Sequence, residues 1–158
     1  MKEKNVLKIK NRLLIFRFSV ECRKILKSNA KSYNGLFTGV YKIATGNIKR
    51  AESVINEWYN RSKNCFPDSS MATLIEKIIS HDPVGRLSIA NAIMSAAKKS
   101  KISKENVEEL ILTDRNASAY SEWNGKAIYE GDKVKIISPA WYQNDEIIEQ
   151  GHCEIIEA

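Results

Sequence analysis

At Asp114 the hydrophobic period of this chain changes, and that change limits the folds open to it. Before it, apolar residues recur at steps of three, four and seven, the spacing of one face of an α-helix. After it they alternate, or gather in short runs between turn residues, as strands do. A chain with 43% apolar residues and only 7 Gly and 3 Pro among 158 can build an ordinary packed core, so collagen-like and disordered readings fall away. The expected fold class is α+β: a mainly helical body over residues 1–113, followed by a small antiparallel β module over 114–158.

Within the helical part, Leu7, Leu14, Phe18, Cys22, Ile25 and Leu26 define a face on a helix from Lys2 to about Ser32. Tyr33-Asn34-Gly35 punctuates it. A second helical stretch is expected from Gly35 or Gly39 to Arg61 with Ile43, Ile55 and Trp58 on its inner face, although Gly46 lies inside it. Ser69 or Ser70 opens a helix to about Ser80, and Asp82-Pro83 starts another to about Lys99, whose alanines suit close packing against a neighbour. Ser103-x-x-Asn106, followed by acidic residues, predicts a last short helix through Leu112. In the tail, Asn124-Gly125 and Glu130-Gly131-Asp132 signal turns, residues 133–137 alternate as a strand, and Pro139 ends it. Strand and turn are expected at 141–146, and two more strands at 147–149 and 153–156.

Charge is divided as sharply as period. Residues 1–65 hold 15 basic and 4 acidic side chains, whereas residues 106–158 hold 4 and 11. A basic head and an acidic tail either attract one another or face different partners. The first helix carries Lys8, Arg12, Arg17, Arg23, Lys24 and Lys27, a set able to contact nucleic-acid phosphates. The same set would also suit a solvated face against the acidic tail. Phe16 and Phe18, two apart, cannot share a helix face, so no aromatic platform for single strands accompanies the charges.

Cys22, Cys65 and Cys153 are odd in number and widely spaced, and His81 and His152 are the two histidines, so neither a disulfide framework nor a zinc site is expected. The apolar run Leu13-Leu14-Ile15-Phe16 ends at Arg17 without a cleavage signal and falls short of the roughly 20 residues that span a bilayer. The chain reads as cytoplasmic, with no cofactor and no membrane association. Catalytic signatures are equally sparse. His81 stands beside Asp82, which an Asp-Pro helix start explains without chemistry, and His152 and Cys153, adjacent in a strand, point to opposite faces. A non-enzymatic binding protein is the expectation.

The last 28 residues carry a resemblance. Ile136-Ile137, Ala140-Trp141, Asn144, Ile148 and Cys153-Glu154-Ile155-Ile156 fall without a gap on the pattern that ends the GrpE family, the nucleotide-exchange factors of DnaK-type chaperones. The segment departs from that family where Asp145-Glu146 replaces Gly-Arg and Glu149-Gln150 replaces Arg followed by Pro or Ala, and no sustained heptad coiled coil precedes it. The resemblance implies a β-domain that wedges open a chaperone's nucleotide-binding domain and favours ADP release. Trp141, Tyr142, Asn144 and Ile147 would then meet the partner, with Trp141 either anchoring there or filling the module's core. An SH3-like barrel is the other form the module can take. The competing functions are a nucleic-acid binder whose acidic tail masks its basic helix, and an immunity or antitoxin protein that caps a toxin. Self-association stays open.

Overall fold

The computed structural model describes the backbone of residues 2–157 and the side chains of residues 10–157. The chain forms two compact units, Met1–Ser100 and Lys101–Ala158. The fold is α+β, with helices first and strands after them.

The first unit has five helices: α1 (Lys2–Asn29), α2 (Phe37–Ala44), α3 (Ala51–Cys65), α4 (Met71–His81) and α5 (Gly85–Lys99). A 3-10 turn over Ala30–Tyr33 extends α1. The helix expected from residue 35 or 39 to 61 is two helices, because Gly46 adopts φ +104°, a left-handed conformation that ends α2 and that glycine enters without steric penalty. α5 packs against all four other helices. Its Ala90, Ala92, Ala96 and Ala97 are buried, and their small size lets the neighbours approach.

Phe18, Cys22 and Leu26 of α1 are fully buried, as are Phe37 and Val40 of α2 and Ile55 and Trp58 of α3. Trp58 is central to this aromatic packing. Its ring stacks on Tyr33 at 3.9 Å and meets Phe37 edge-on at 5.9 Å. Beside it Ser62 donates its hydroxyl hydrogen to the Trp58 carbonyl (2.8 Å), so the 2.8 Å bond between Tyr33 and Ser62 is donated by the tyrosine. Burial raises the Tyr33 phenol to about 12. Asp82 accepts from the Val84 N–H at 3.0 Å in the turn ahead of α5, which begins at Gly85, so Pro83 lies in that turn and not in the first turn of the helix as expected.

The second unit contains β1 (Ile102–Lys104), β2 (Glu109–Ile111), β3 (Tyr120–Glu122), β4 (Lys133–Ser138), β5 (Trp141–Gln143), β6 (Glu146–Glu149) and β7 (Gly151–Ile155). Two sheets result, in the orders β1-β5-β6 and β2-β4-β7-β3. Every pairing is antiparallel except β3 with β7, which is parallel, so the module is mixed where uniform antiparallel pairing is expected. The helix predicted over 103–112 is also replaced. Ile102–Lys104 pairs with β5 and Glu109–Ile111 with β4, which moves the start of the β unit from 114 to 101. A weak local cap signal yields here to ladder bonds and to the pairing of a buried Ile102.

Leu112, Ala119, Tyr120, Val134, Ala140 and Cys153 form the core of this unit. Burial raises the Cys153 thiol, with the nearby Glu122 charge adding to the shift. The Ser138–Ala140 corner closes through a bond from the Ala140 N–H to the Tyr120 hydroxyl at 3.2 Å. Both glycine turns expected in the tail are present, with Gly125 at φ +80° and Gly131 at φ +93°.

Glu122, 7% exposed, organises the first of these turns. Its carboxylate accepts the Lys126 N–H at 2.9 Å and the Asn124 N–H at 2.7 Å. The Lys126 bond leads in holding its pKa below the usual 4.5, against partial burial, which acts the other way. A lowered folded pKa contributes stability that is present above the unfolded value and lost as pH falls through the folded one. Glu122→Gln should therefore lower the melting temperature of the β unit at neutral pH, and the gap to wild type should close as pH drops below 4.5. A gap unchanged down to about pH 3, where carboxylates protonate, would contradict this role.

Candidate functional site

On a 3.6-residue helix, the ridge Phe18, Cys22, Ile25 and Leu26 occupies one side of α1 and is buried. The opposite side carries Arg17, Arg23, Lys24 and Lys27, with Arg12 at its margin, and all five are exposed. Phe16 is 66% exposed and Phe18 fully buried, so the two rings do lie on different faces. Lys24 meets Glu21 at 3.7 Å, a surface pair of small energetic weight. Arg12, Arg17, Arg23 and Lys27 make no ion pair among the described residues. Lys8 lies outside the described side chains. From Arg12 to Lys27 the helix rises about 22 Å, comparable to six base-pair steps of a duplex.

The residues assigned to partner contact in the tail are differently placed. Trp141 is 3% exposed, while Tyr142 and Ile147 pack against the core of the β unit. Asn144 alone of the four is exposed, at φ +49° in the hairpin between β5 and β6. Tyr142 and Asn144 share a cleft of about 470 Å³ with residues that sequence reasoning did not single out. Lys101, Lys104 and Glu105 enter it from the β1 segment, and Arg115 enters from the loop after β2. Within it the Tyr142 hydroxyl donates to Glu105 at 2.8 Å, and Arg115 is paired with Asp145. Burial, then the bond to Glu105, pushes the Tyr142 phenol far above its usual value, so it remains a donor at physiological pH. Of this cleft, the sequence marks Tyr142, Asn144 and the strand and turn over 141–146.

The remaining chemically active side chains stand apart. His152 is exposed and Cys153 buried on opposite faces of β7, and His152 meets Trp123 edge-on at 6.4 Å. His81 is exposed at the end of α4. All three cysteines are free thiols, and burial pushes Cys22 strongly upward, away from thiolate chemistry. Among the described residues no group of three His, Cys, Asp or Glu is arranged to hold a metal, and no helix is long and apolar enough to cross a membrane. Compared with known proteins, the chain matches no family model, no curated protein and no solved structure.

Proposed function

We propose that this protein acts by binding, and that it holds nucleic acid through phosphate contacts along the outward face of α1. The observation that carries this reading is the set Arg12, Arg17, Arg23 and Lys27, exposed within one helix and without an ion pair among the described residues. The charge of the whole unit supports it: residues 1–100 hold 19 basic and 7 acidic side chains, net +12, against 6 and 12 in residues 101–158. A positive helix of this length draws a polyanion in at long range and binds it by releasing counterions. The acidic unit lowers the total charge and discourages indiscriminate binding. Three unpaired thiols, Cys22 and Cys153 buried and Cys65 exposed, fit a reducing compartment such as the cytoplasm.

Full-length protein should bind a short DNA or RNA duplex at ~50 mM salt, with an affinity that falls linearly on a log–log plot against salt. Changing Arg12, Arg17, Arg23 and Lys27 together to glutamine removes up to four phosphate contacts. The slope should then shrink by about 3 to 4, while circular dichroism stays as in wild type because the four side chains are exposed. No binding at low salt, or an unchanged slope in the variant, would overturn the reading.

A second reading has one observation in its favour. The GrpE-like elements fall on strand, turn and strand in order, with Ile136-Ile137 in β4, Asn144 in the β5–β6 turn, Ile148 in β6 and Cys153–Ile155 in β7. A chaperone cofactor of this kind should speed release of labelled ADP from a DnaK-type chaperone. An unchanged release rate at saturating protein removes it.

A further inference from the structure

The cleft of the β unit is assembled from three separate segments, residues 101–105, 113–116 and 142–145. We propose that it is a binding site for a small organic oxyanion, a molecule carrying a phosphate or a carboxylate. Its volume, about 470 Å³, lies in the range of small-molecule sites.

The charges in its wall decide the class of ligand. Both carboxylates already have donors: Glu105 receives the Tyr142 hydroxyl, and Asp145 is paired with Arg115. On the cationic side, Lys101 has no ion pair among the described residues. Lys104 also lines the cleft and donates to the Asn106 side-chain oxygen at 3.1 Å and the Glu105 carbonyl at 3.4 Å. The cleft therefore presents the Lys101 charge within a unit that is acidic as a whole, and an incoming anion meets no carboxylate that lacks a donor of its own.

The wall is also held in place before any ligand arrives. The Thr113 N–H donates to the Asn116 side-chain oxygen at 2.7 Å, and the Asn116 N–H donates back to the Thr113 hydroxyl at 3.3 Å. Three described residues other than glycine have a positive φ, Lys101 at 62°, Asn144 at 49° and Asp145 at 70°, and all three line this cleft. At Asn144 and Asp145 the two-residue β5–β6 turn demands it, and the pairing of Gln143 with Glu146 fixes that wall of the cleft. Arg115 pairs with Asp145, and a bound anion would compete for the same guanidinium.

That competition produces opposite signs for two mild substitutions. Lys101→Asn removes a cation at a left-handed position that asparagine favours, and Asp145→Asn removes the internal competitor under the same backbone condition, so both variants should fold. Full-length protein labelled with ¹⁵N is titrated with adenosine 5′-monophosphate, with citrate, and with uncharged adenosine. Amide shifts should be confined to the three cleft segments, and the dissociation constant should rise about five-fold in Lys101→Asn and fall about three-fold in Asp145→Asn. A response to the nucleotide alone assigns a phosphate ligand, and a response to citrate alone assigns a carboxylate. An equal response to adenosine, shifts centred on α1, no shift with either anion, or the same sign in both variants would overturn the proposal. Because α1 amides report separately, failure of the nucleic-acid reading is distinguishable from failure of this one.

Discussion

Replacing Trp58 with alanine is expected to cost about 3–5 kcal/mol and to melt the helical unit, the largest single effect in that half of the chain. The indole is wholly buried, stacked on Tyr33 and edge-on to Phe37, so alanine leaves a cavity that three fixed helical segments cannot collapse to fill. Its Nε1 hydrogen has no acceptor among the described residues, and an unpartnered buried donor is itself a cost. Trp58→Phe should therefore be mild, below about 1.5 kcal/mol, since it keeps most of the ring contact and deletes the unsatisfied group. Denaturant titration followed by the helical signal at 222 nm compares the two. Equal losses in both variants would mean that ring volume is not what Trp58 contributes.

Gly151→Ala should be nearly as damaging to the β unit, for a steric reason. A β-carbon at Gly151 would stand 2.5 Å from the Ala140 nitrogen, 2.5 Å from the Ser138 carbonyl oxygen and 2.6 Å from the Tyr120 ring. Two of these are backbone atoms in the corner that the Tyr120 hydroxyl closes, so relief requires opening the β4–β7 ladder or breaking the Tyr120–Ala140 bond. The expected loss reaches or exceeds the upper end of the ~1–3 kcal/mol typical of overpacking. Gly125→Ala is the control: its φ is positive but nothing lies within 4 Å, so only the left-handed penalty of about 1 kcal/mol applies. Hydrogen exchange of the β4 and β7 amides should rise in Gly151→Ala and stay near wild type in Gly125→Ala. Matching exchange in the two variants would refute the steric account.

The legible part of the fold is the part with long or chemically specific signals. The inner face of α1, the helices α4 and α5 that follow Ser70 and the Asp82-Pro83 turn, and the β4 strand with its stop at Pro139 all rest on periodicity or on turn residues acting over a few positions. Gly46 is an anomaly within a helical pattern, and in the structure its left-handed backbone ends α2. The exposed basic residues of α1 were also readable, because a helix of known period separates one face from the other once its buried ridge is recognised.

What the sequence by itself determined is this order of helices and strands, the turns between them, the buried ridge of α1 and the charged face behind it. All follow from local preference and period. What only the tertiary structure decided is the strand state of Ile102–Lys104 and Glu109–Ile111, the parallel β3–β7 pair, the burial of Trp141, and the meeting of Lys101, Arg115 and Asp145 at one cleft. Three-residue strands carry almost no period of their own, and their conformation is set by partners tens of residues away. A local helix signal at Ser103 is weak against a ladder of backbone bonds that exists only once the chain has folded back on itself.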